Sequence, residues 1–379
     1  MNVLIAPNAF KNSLSAEEAA IAIEEGLRMS SLDCACERFP IGDGGDGTGA
    51  LLIKHLEGDI VLAQVHDPIG RKIKASFGLI EQGKTAVIEL ADASGLRLLS
   101  DAELNPLKAT TFGTGELMIL ALDRGVNKII LGIGGSATVD GGCGILKALG
   151  VRFFNAKREE LSGSPESLMD LAEIDIAELD KRICDCELVV LCDVQNLLLG
   201  SQGAAEVFGP QKGANKEGVV ILENSLQKLA SVTKQQTNID LTTIKFGGAS
   251  GGTAAGLAAF LNAKLVNGID HFLEITNFDR ALEQADVVIT GEGSIDEQTL
   301  TGKGPFGIAR KAKSKGVPVI GLAGKVPIQT SESMGKYFDA LLSIGHKPED
   351  FASALRNSKK NLERTAKIVG DLCALRCKG

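Results

Sequence analysis

An α/β fold built from two α/β domains is predicted by three observations. The chain opens with a strand–helix–strand–helix rhythm. It returns to that rhythm after Asp286. In between, after Gly58, the rhythm breaks into closely spaced strands. Alternating strand and helix signals mark a parallel sheet with helices on its faces. The expected architecture is a Rossmann-like parallel-sheet domain formed by both termini, residues 1–60 plus 285–379. A second, mixed-sheet α/β domain, residues 61–284, is inserted into it.

The elements follow in order. Val3 to Ala6 is a short apolar run, read as a buried strand. Ser15-Ala16-Glu17-Glu18 fits a capping box, and Ala19, Ile23 and Leu27 give the next helix an apolar face. Arg38 to Ile41 is a candidate second strand and Thr48 to Leu56 the helix after it. Ile60 to Leu90 reads as three strands, broken at Asp67-Pro68 and Gln82-Gly83. Helices are expected over Gly115 to Arg124, Gly144 to Leu149, Gly218 to Val232 and Thr253 to Leu261. Strands are expected over Lys128 to Leu131 and Leu188 to Cys192. Past Asp286 come a strand from Val287 to Ile289, a helix from Phe306 to Ser314, and strands at Pro318 to Gly324 and Ala340 to Ile344. A closing helix runs from Pro348 to Val369, with Phe351, Leu355, Leu362 and Ile368 on one broad face. No internal repeat or low-complexity tract is evident.

Composition narrows the function. The 379 residues are 44% hydrophobic and 23% charged, ordinary for a globular chain with room for two or three domains. A formal net charge of −8 argues against general binding to nucleic acid or to an anionic membrane. Eight cysteines include two Cys-x-Cys pairs, Cys34/Cys36 and Cys184/Cys186, without zinc spacing or a nearby histidine. They read as thiols of a reducing compartment. The start, MNVLIAPNAF, lacks the basic and long apolar parts of a signal sequence, and no run approaches a membrane span. The expected location is the cytoplasm.

Three glycine-dense turns carry the chemistry: Gly42 to Thr48, Gly132 to Gly142 and Gly247 to Gly256. Glycine lets a ligand approach the main chain without meeting a Cβ, and successive N–H groups make anion-binding concavities. Carboxylates beside them suggest a metal, or a proton to be moved. Gly134-Gly135-Ser136-Ala137-Thr138 follows an apolar strand and precedes a helix, so it is the best anion cradle. It also reads as a tight strand-to-helix connection, and Asp140 beside it would repel phosphate unless Mg²⁺ were bound.

Three motif matches point elsewhere and are set aside on context. Gly78 to Thr85 satisfies the P-loop pattern, but Ala86 to Leu90 reads as a strand, which makes a hairpin turn. Gly42 to Gly47 satisfies the dinucleotide pattern with Asp67 about 20 residues on, yet it follows the second strand and holds two carboxylates. Gly248 to Gly252 satisfies the nucleophile-elbow pattern with no convincing strand before it. Ser250 is instead expected at the start of the next helix, as a cap or a polar ligand contact. Glu292 and Asp296 leave the Val287 strand at its carboxyl end, where open α/β sheets bind ligands. Lys303 follows, and Lys11 stands in the same relation to the first strand. His55, His66, His271 and His346 have no metal spacing.

Seven segments in order give the chain a wider resemblance. They are APNAFKNSLSA, PIGDGGDGT, TFGTGEL, LGIGGSATVDGG, LCDVQNLLLGSQGAAEVFGPQKGA, GGASGGTAAGLAAF and ADVVITGEGSIDEQTLTGKGPFGIARKAK. Together they resemble the bacterial glycerate kinases of the first type, nearly end to end. The resemblance implies a two-domain α/β kinase that phosphorylates D-glycerate from ATP with Mg²⁺, in a cleft between its domains. The 2-phosphate is the favoured product over the 3-phosphate. The chain departs from its relatives in carrying Asn8-Ala9 for Asp-Ser, Asn12 for Gly, Asp46 for Glu, Leu197 for Pro and Ser294 for Arg. Loss of that guanidinium removes a bidentate partner for carboxylate or phosphate.

On this basis Gly134, Gly135, Ser136 and Thr138 are expected to cradle the ATP phosphates. Lys11 and Lys303 would meet negative charge on glycerate or on the transferring group, and Asp193 would accept the hydroxyl proton. Gly44, Gly45, Ser250 and Glu292 would contact substrate, and Asp43 and Asp296 would hold Mg²⁺. A small molecule is the expected partner; homodimer formation stays open. A non-catalytic binding homologue and a nicotinamide-linked dehydrogenase remain as rival readings. The first is motivated by Ser294 and Asn8, the second by the Gly42 turn alone.

Overall fold

The computed structural model describes residues 1–297, 299 and 302–376. Its strands, in chain order, are β1 (Asn2–Ile5), β2 (Ala35–Arg38), β3 (Asp59–His66), β4 (Lys72–Ile80), β5 (Thr85–Glu89), β6 (Lys128–Gly132) and β7 (Arg152–Asn155). They continue as β8 (Leu171–Asp175), β9 (Glu187–Cys192), β10 (Lys264–Asn267), β11 (Val287–Ser294), β12 (Val319–Lys325) and β13 (Ala340–Ser343). By internal packing the chain divides into two compact units. One is Met1–Asp43 with Ile269–Gly379, the other Gly44–Gly268.

The first unit carries a five-stranded sheet in the order β13-β12-β11-β1-β2, with every pair parallel. The Ala16–Arg28 helix begins with the expected capping box, Ser15 and Glu18 satisfying each other's backbone N–H. It packs on the Phe351–Arg376 helix so closely that a methyl group on Gly26 would lie 2.2 Å from the Glu363 carbonyl oxygen. Ala19, Ile23, Leu27, Leu362 and Ala366 fill the layer between these helices and the sheet. The second strand ends at Arg38, not Ile41, because its partner β1 ends at Ile5, opposite Arg38; past that point Phe39 still donates to the Ile5 carbonyl and Ile41 to the Pro7 carbonyl. The last helix starts three residues later than expected. Asp350 accepts the Ser353 N–H at 2.9 Å and so marks its beginning.

The second unit carries a six-stranded sheet in the order β10-β9-β6-β5-β4-β3. β3, β4 and β5 form the antiparallel part, and β5, β6, β9 and β10 run parallel. Gly78 sits inside β4 paired with Val87, and Glu81–Gly83 is the turn, so the P-loop match is a hairpin. A separate antiparallel ribbon, β7-β8, and strand β10 carry no signal used in the sequence reading. The Thr48–His55 helix packs on β4 and β5 and belongs with this sheet. The units therefore divide at 43/44 and 268/269, earlier on both sides than the change of rhythm at 60 and 285. Phe77, Ile88, Leu131, Phe153 and Leu226 are among the buried side chains of this core.

Among the described residues no helix is long and apolar enough to cross a membrane. The Thr253–Leu261 helix leans on the turn after β6, and Gly256 is the contact. A methyl group there would lie 2.0 Å from the Gly141 carbonyl oxygen. Alanine is the better helix former by about 1 kcal/mol. The Gly256→Ala variant should nonetheless be destabilised by about 1–3 kcal/mol, the scale of overpacking. A lowered midpoint in thermal or urea unfolding is the expected result, and a raised one would refute the close approach.

Candidate functional site

The residues singled out from sequence fall into two sets, one in each unit. In the second unit the three glycine turns touch one another at the carboxyl ends of β5, β6 and β9. Gly134 donates its N–H to Gly44 at 3.2 Å, and Gly141 donates to Gly251 at 3.0 Å. A Cβ on Gly134 would lie 2.4 Å from the Gly45 Cα, and one on Gly44 would lie 3.2 Å from the Leu191 carbonyl oxygen at the end of β9. Gly248 donates to the Asn196 carbonyl at 2.9 Å, which ties the third turn to the segment after Asp193. Gly44, Gly45, Gly134, Gly135, Ser136, Thr138, Asp193 and Ser250 are thus neighbours. At Gly134 no side chain thicker than hydrogen fits where these backbones meet.

Ser250 is not the helix cap. The cap of the Thr253–Leu261 helix is Gly252, in the left-handed region at φ 89°, and it offers no side-chain hydrogen bond. Ser250 itself sits at φ 53°. The Oγ of Ser250 and the Oγ1 of Thr138 are buried without a hydrogen-bond partner among the described residues. Buried hydroxyls are ordinarily satisfied, so both are open to an oxygen-bearing ligand.

Asp140 is engaged by its own chain. It is fully buried and accepts four donors: Thr111 N and Thr111 Oγ1 at 2.8 Å, and Gly142 N and Gly144 N at 3.1 Å. Burial nevertheless pushes its carboxyl above the usual range. Asp140 thus fixes the turn, both of its carboxylate oxygens being engaged by donors of the chain.

Sequence reasoning missed Lys212. It ends a short turn, Pro210–Lys212, and is only 3% exposed. Its Nζ donates to Ser136 Oγ and to the Thr138 carbonyl, both at 2.7 Å. Burial pushes it down to about 7, against the pull of Asp140 and Asp193. The signal was a lone lysine in a Gly-Pro-Gln-Lys-Gly stretch, a pattern that usually marks a solvated loop. A second missed residue is Glu89 at the end of β5. Its Oε1 accepts the Gly49 N–H at 2.6 Å, and burial pushes it up to about 7. Arg97 bonds Asp46 at 3.0 Å and also pairs with Asp92 beside it.

In the first unit Lys11, Asp43, Glu292, Asp296 and Lys303 gather at the carboxyl ends of β1 and β11. β11 runs on to Ser294, with Glu292 paired opposite Ala323, so Glu292 lies within the strand and not in the turn after it. Asn8 donates its N–H to the Gly291 carbonyl and its Nδ2 to Asp43 Oδ2, both at 2.8 Å. The Gly304 N–H, at the start of the Gly304–Ser314 helix, reaches the same oxygen at 3.4 Å. Lys303 is the residue before that helix. The Lys11 main chain passes Gly293. Ser294 Oγ lies 3.4 Å from Asp296 Oδ2, and Thr299 donates to Glu292 at 3.1 Å. Among the described residues no group of three or more His, Cys, Asp or Glu could hold a metal ion by itself.

Glu292 is 7% exposed, and burial pushes it up to about 7, partly offset by Lys303 and reinforced by Asp43. The unfolded chain ionises this group from 4.5, the folded one only from about 7. Over that window the unfolded state holds fewer protons, so the contribution of Glu292 to stability falls as pH rises, by at most about 1.4 kcal/mol per unit. Glu292→Gln should remove this slope. Unfolding wild type and variant at pH 5 and pH 7 should show the variant gaining relative to wild type at the higher pH. An equal difference at both would refute it.

Comparison with known proteins gives the family. A family model described as "Glycerate kinase family" matches residues 3–374. A protein named glycerate kinase from Halalkalibacterium halodurans is 42% identical over 368 residues, 97% of this chain and 97% of that one. A protein named glycerate 2-kinase from Escherichia coli K12 is 42% identical over 375 residues, 97% of this chain and 98% of that one. The crystal structure of a candidate glycerate kinase 2 from Salmonella typhimurium LT2 superposes with a TM-score of 0.83 at 41% identity. It covers all of both chains. The chain belongs to the glycerate kinase family.

Proposed function

We propose that this protein transfers the γ-phosphoryl group of ATP to D-glycerate, with the 2-hydroxyl as the favoured acceptor. The observation that carries the reading is the set of touching glycine turns at the carboxyl ends of β5, β6 and β9. Their main chains are bare, and two buried hydroxyls beside them lack partners among the described residues. Gly134, Gly135, Ser136 and Thr138 would receive the phosphate oxygens, and Ser250, Gly44 and Gly45 the remainder of the ligand. The name of the 42% identical Escherichia coli relative supports the 2-position. Seven free cysteines among the described residues support a cytoplasmic location.

Phosphoryl transfer asks a protein for alignment, charge neutralisation and a proton acceptor. Asp193, just past β9, would take the proton of the attacking hydroxyl. Lys11 and Lys303 would neutralise charge on glycerate or on the transferring group. Glu292, poised near neutrality, would hydrogen-bond the acid substrate as donor or acceptor. Asp43 and Asp296 offer only carboxylate oxygens, the donor type that suits Mg²⁺, an ion that keeps waters and shares its shell with phosphate. Mg²⁺, when bound, supplies positive charge against the phosphate oxygens.

Asp193→Asn should lower kcat by about 10²–10⁴ with little change in KM, the signature of a group that acts in the transition state. A near-normal kcat would remove Asp193 from the mechanism. The activity itself is tested with Mg·ATP and a panel of small hydroxy acids, the product position being read by phosphorus NMR. Expected is a 2-phosphoglycerate signal that requires D-glycerate and Mg²⁺. Binding without turnover would overturn the reading.

A further inference from the structure

Lys212 has the features of a group waiting for a ligand. Lysine is almost never fully buried unless paired. Here two of the three ammonium N–H positions are taken, by Ser136 Oγ and the Thr138 carbonyl, and the third has no acceptor among the described residues. Both partners are neutral. The charged groups that act on the amine are Asp140, from the turn after β6, and Asp193, from the end of β9; its own turn carries none. Asp140 is already saturated by four donors. The two holders of the amine, Ser136 and Thr138, are residues of the glycine cradle itself. Thr138 presents its unpartnered hydroxyl from the residue whose carbonyl grips the lysine.

We propose that Lys212 is a catalytic residue of this chain, a direct ligand of the ATP phosphates, bound to them as ammonium. The inference rests on the kinase reading above and adds to it the cation of the cradle. A desolvated amine is held near neutrality by burial, and a phosphate beside it favours the charged form. Charge-assisted hydrogen bonds of this kind are roughly twice as strong as neutral ones. An amine that merely tied the Pro210–Lys212 turn to the cradle would keep its proton count unchanged on binding.

The test is titration calorimetry of Mg·ATP into the whole protein at pH 8.5, in two buffers of different ionisation heat. At that pH Glu89 and Glu292 are ionised in the free protein. Wild type should take up about one proton per nucleotide, falling toward zero at pH 6, where the amine is already charged. Lys212→Met should lose the uptake and about 10²–10³ in kcat/KM, the scale of removing one donor to developing charge. Lys212→Arg, which cannot release its proton, should bind without uptake. No uptake by wild type at pH 8.5, or a Lys212→Met variant within about threefold of wild-type kcat/KM, a loss under 1 kcal/mol, would overturn the proposal. Should the variants fail to fold, the wild-type proton count decides alone. The parent reading fails differently: wild type would not turn over D-glycerate at all, and both would fall.

Discussion

A buried carboxylate, Asp140, is the constraint around which the second unit's site is arranged. A charge without water must find donors or be neutralised. Asp140 finds four, and they come from two places: Thr111, before the Phe112–Asp123 helix, and Gly142 and Gly144, at the start of the Cys143–Ala148 helix. The turn from Ser136 to Gly142 is thereby held in one shape. That shape places the Ser136 hydroxyl and the Thr138 carbonyl 2.7 Å from the amine of Lys212. The bare main chain at Gly256 then lets the Thr253–Leu261 helix come against the Gly141 carbonyl. Loss of the carboxylate would leave four donors unmet in a dry interior, so the whole arrangement stands or falls with it.

The first unit solves a related problem with different parts. Its sheet also delivers charged groups to the carboxyl ends of its strands, but the groups are carboxylates and lysines on or just beyond β1 and β11. Extension of β11 to Ser294 keeps Glu292 within the ladder and therefore dry. Burial raises the proton affinity of Glu292 and of Glu89 alike, one in each unit, to about 7. Two carboxyls poised at neutrality and one amine brought down to the same value make the protonation of this protein sensitive to whatever anions and cations it binds.

Much of this was legible in the sequence, for physical reasons. The apolar runs of β1, β6 and β9, the Ser15 capping box and the Glu81–Gly83 hairpin follow from local periodicity and turn chemistry. The glycine turns announced themselves because only glycine tolerates such close main-chain contact. What was hidden is what depends on distance in space. Strand β10 and the β7-β8 ribbon are short and owe their order to partners far along the chain. Thr48–His55 follows the first strands in sequence but packs on β4 and β5. The burial of Lys212 and Asp140 was not legible, since nothing local tells a lysine in a Gly-Pro-Gln-Lys-Gly stretch that it will be sealed from solvent. Ser250 is polar and near the start of the Thr253–Leu261 helix, which makes it a candidate cap by sequence; Gly252 is the cap because the chain enters there with positive φ.

The parallel sheet of the first unit has a consequence for how the chain is made. β1 is an inner strand, flanked by β2 and β11. β2 emerges soon after it, but β11 does not. Thr290 donates to the Ala6 carbonyl across 284 residues of chain. At ribosomal rates of roughly 5–20 residues per second, that interval is on the order of 15–60 seconds. Throughout it the nascent β1–β2 pair shows an apolar strand edge with no neighbour, the surface that chaperones cover and that aggregation exploits. A strand that must wait so long for its mate becomes safe only once the segment that carries β11 has been made.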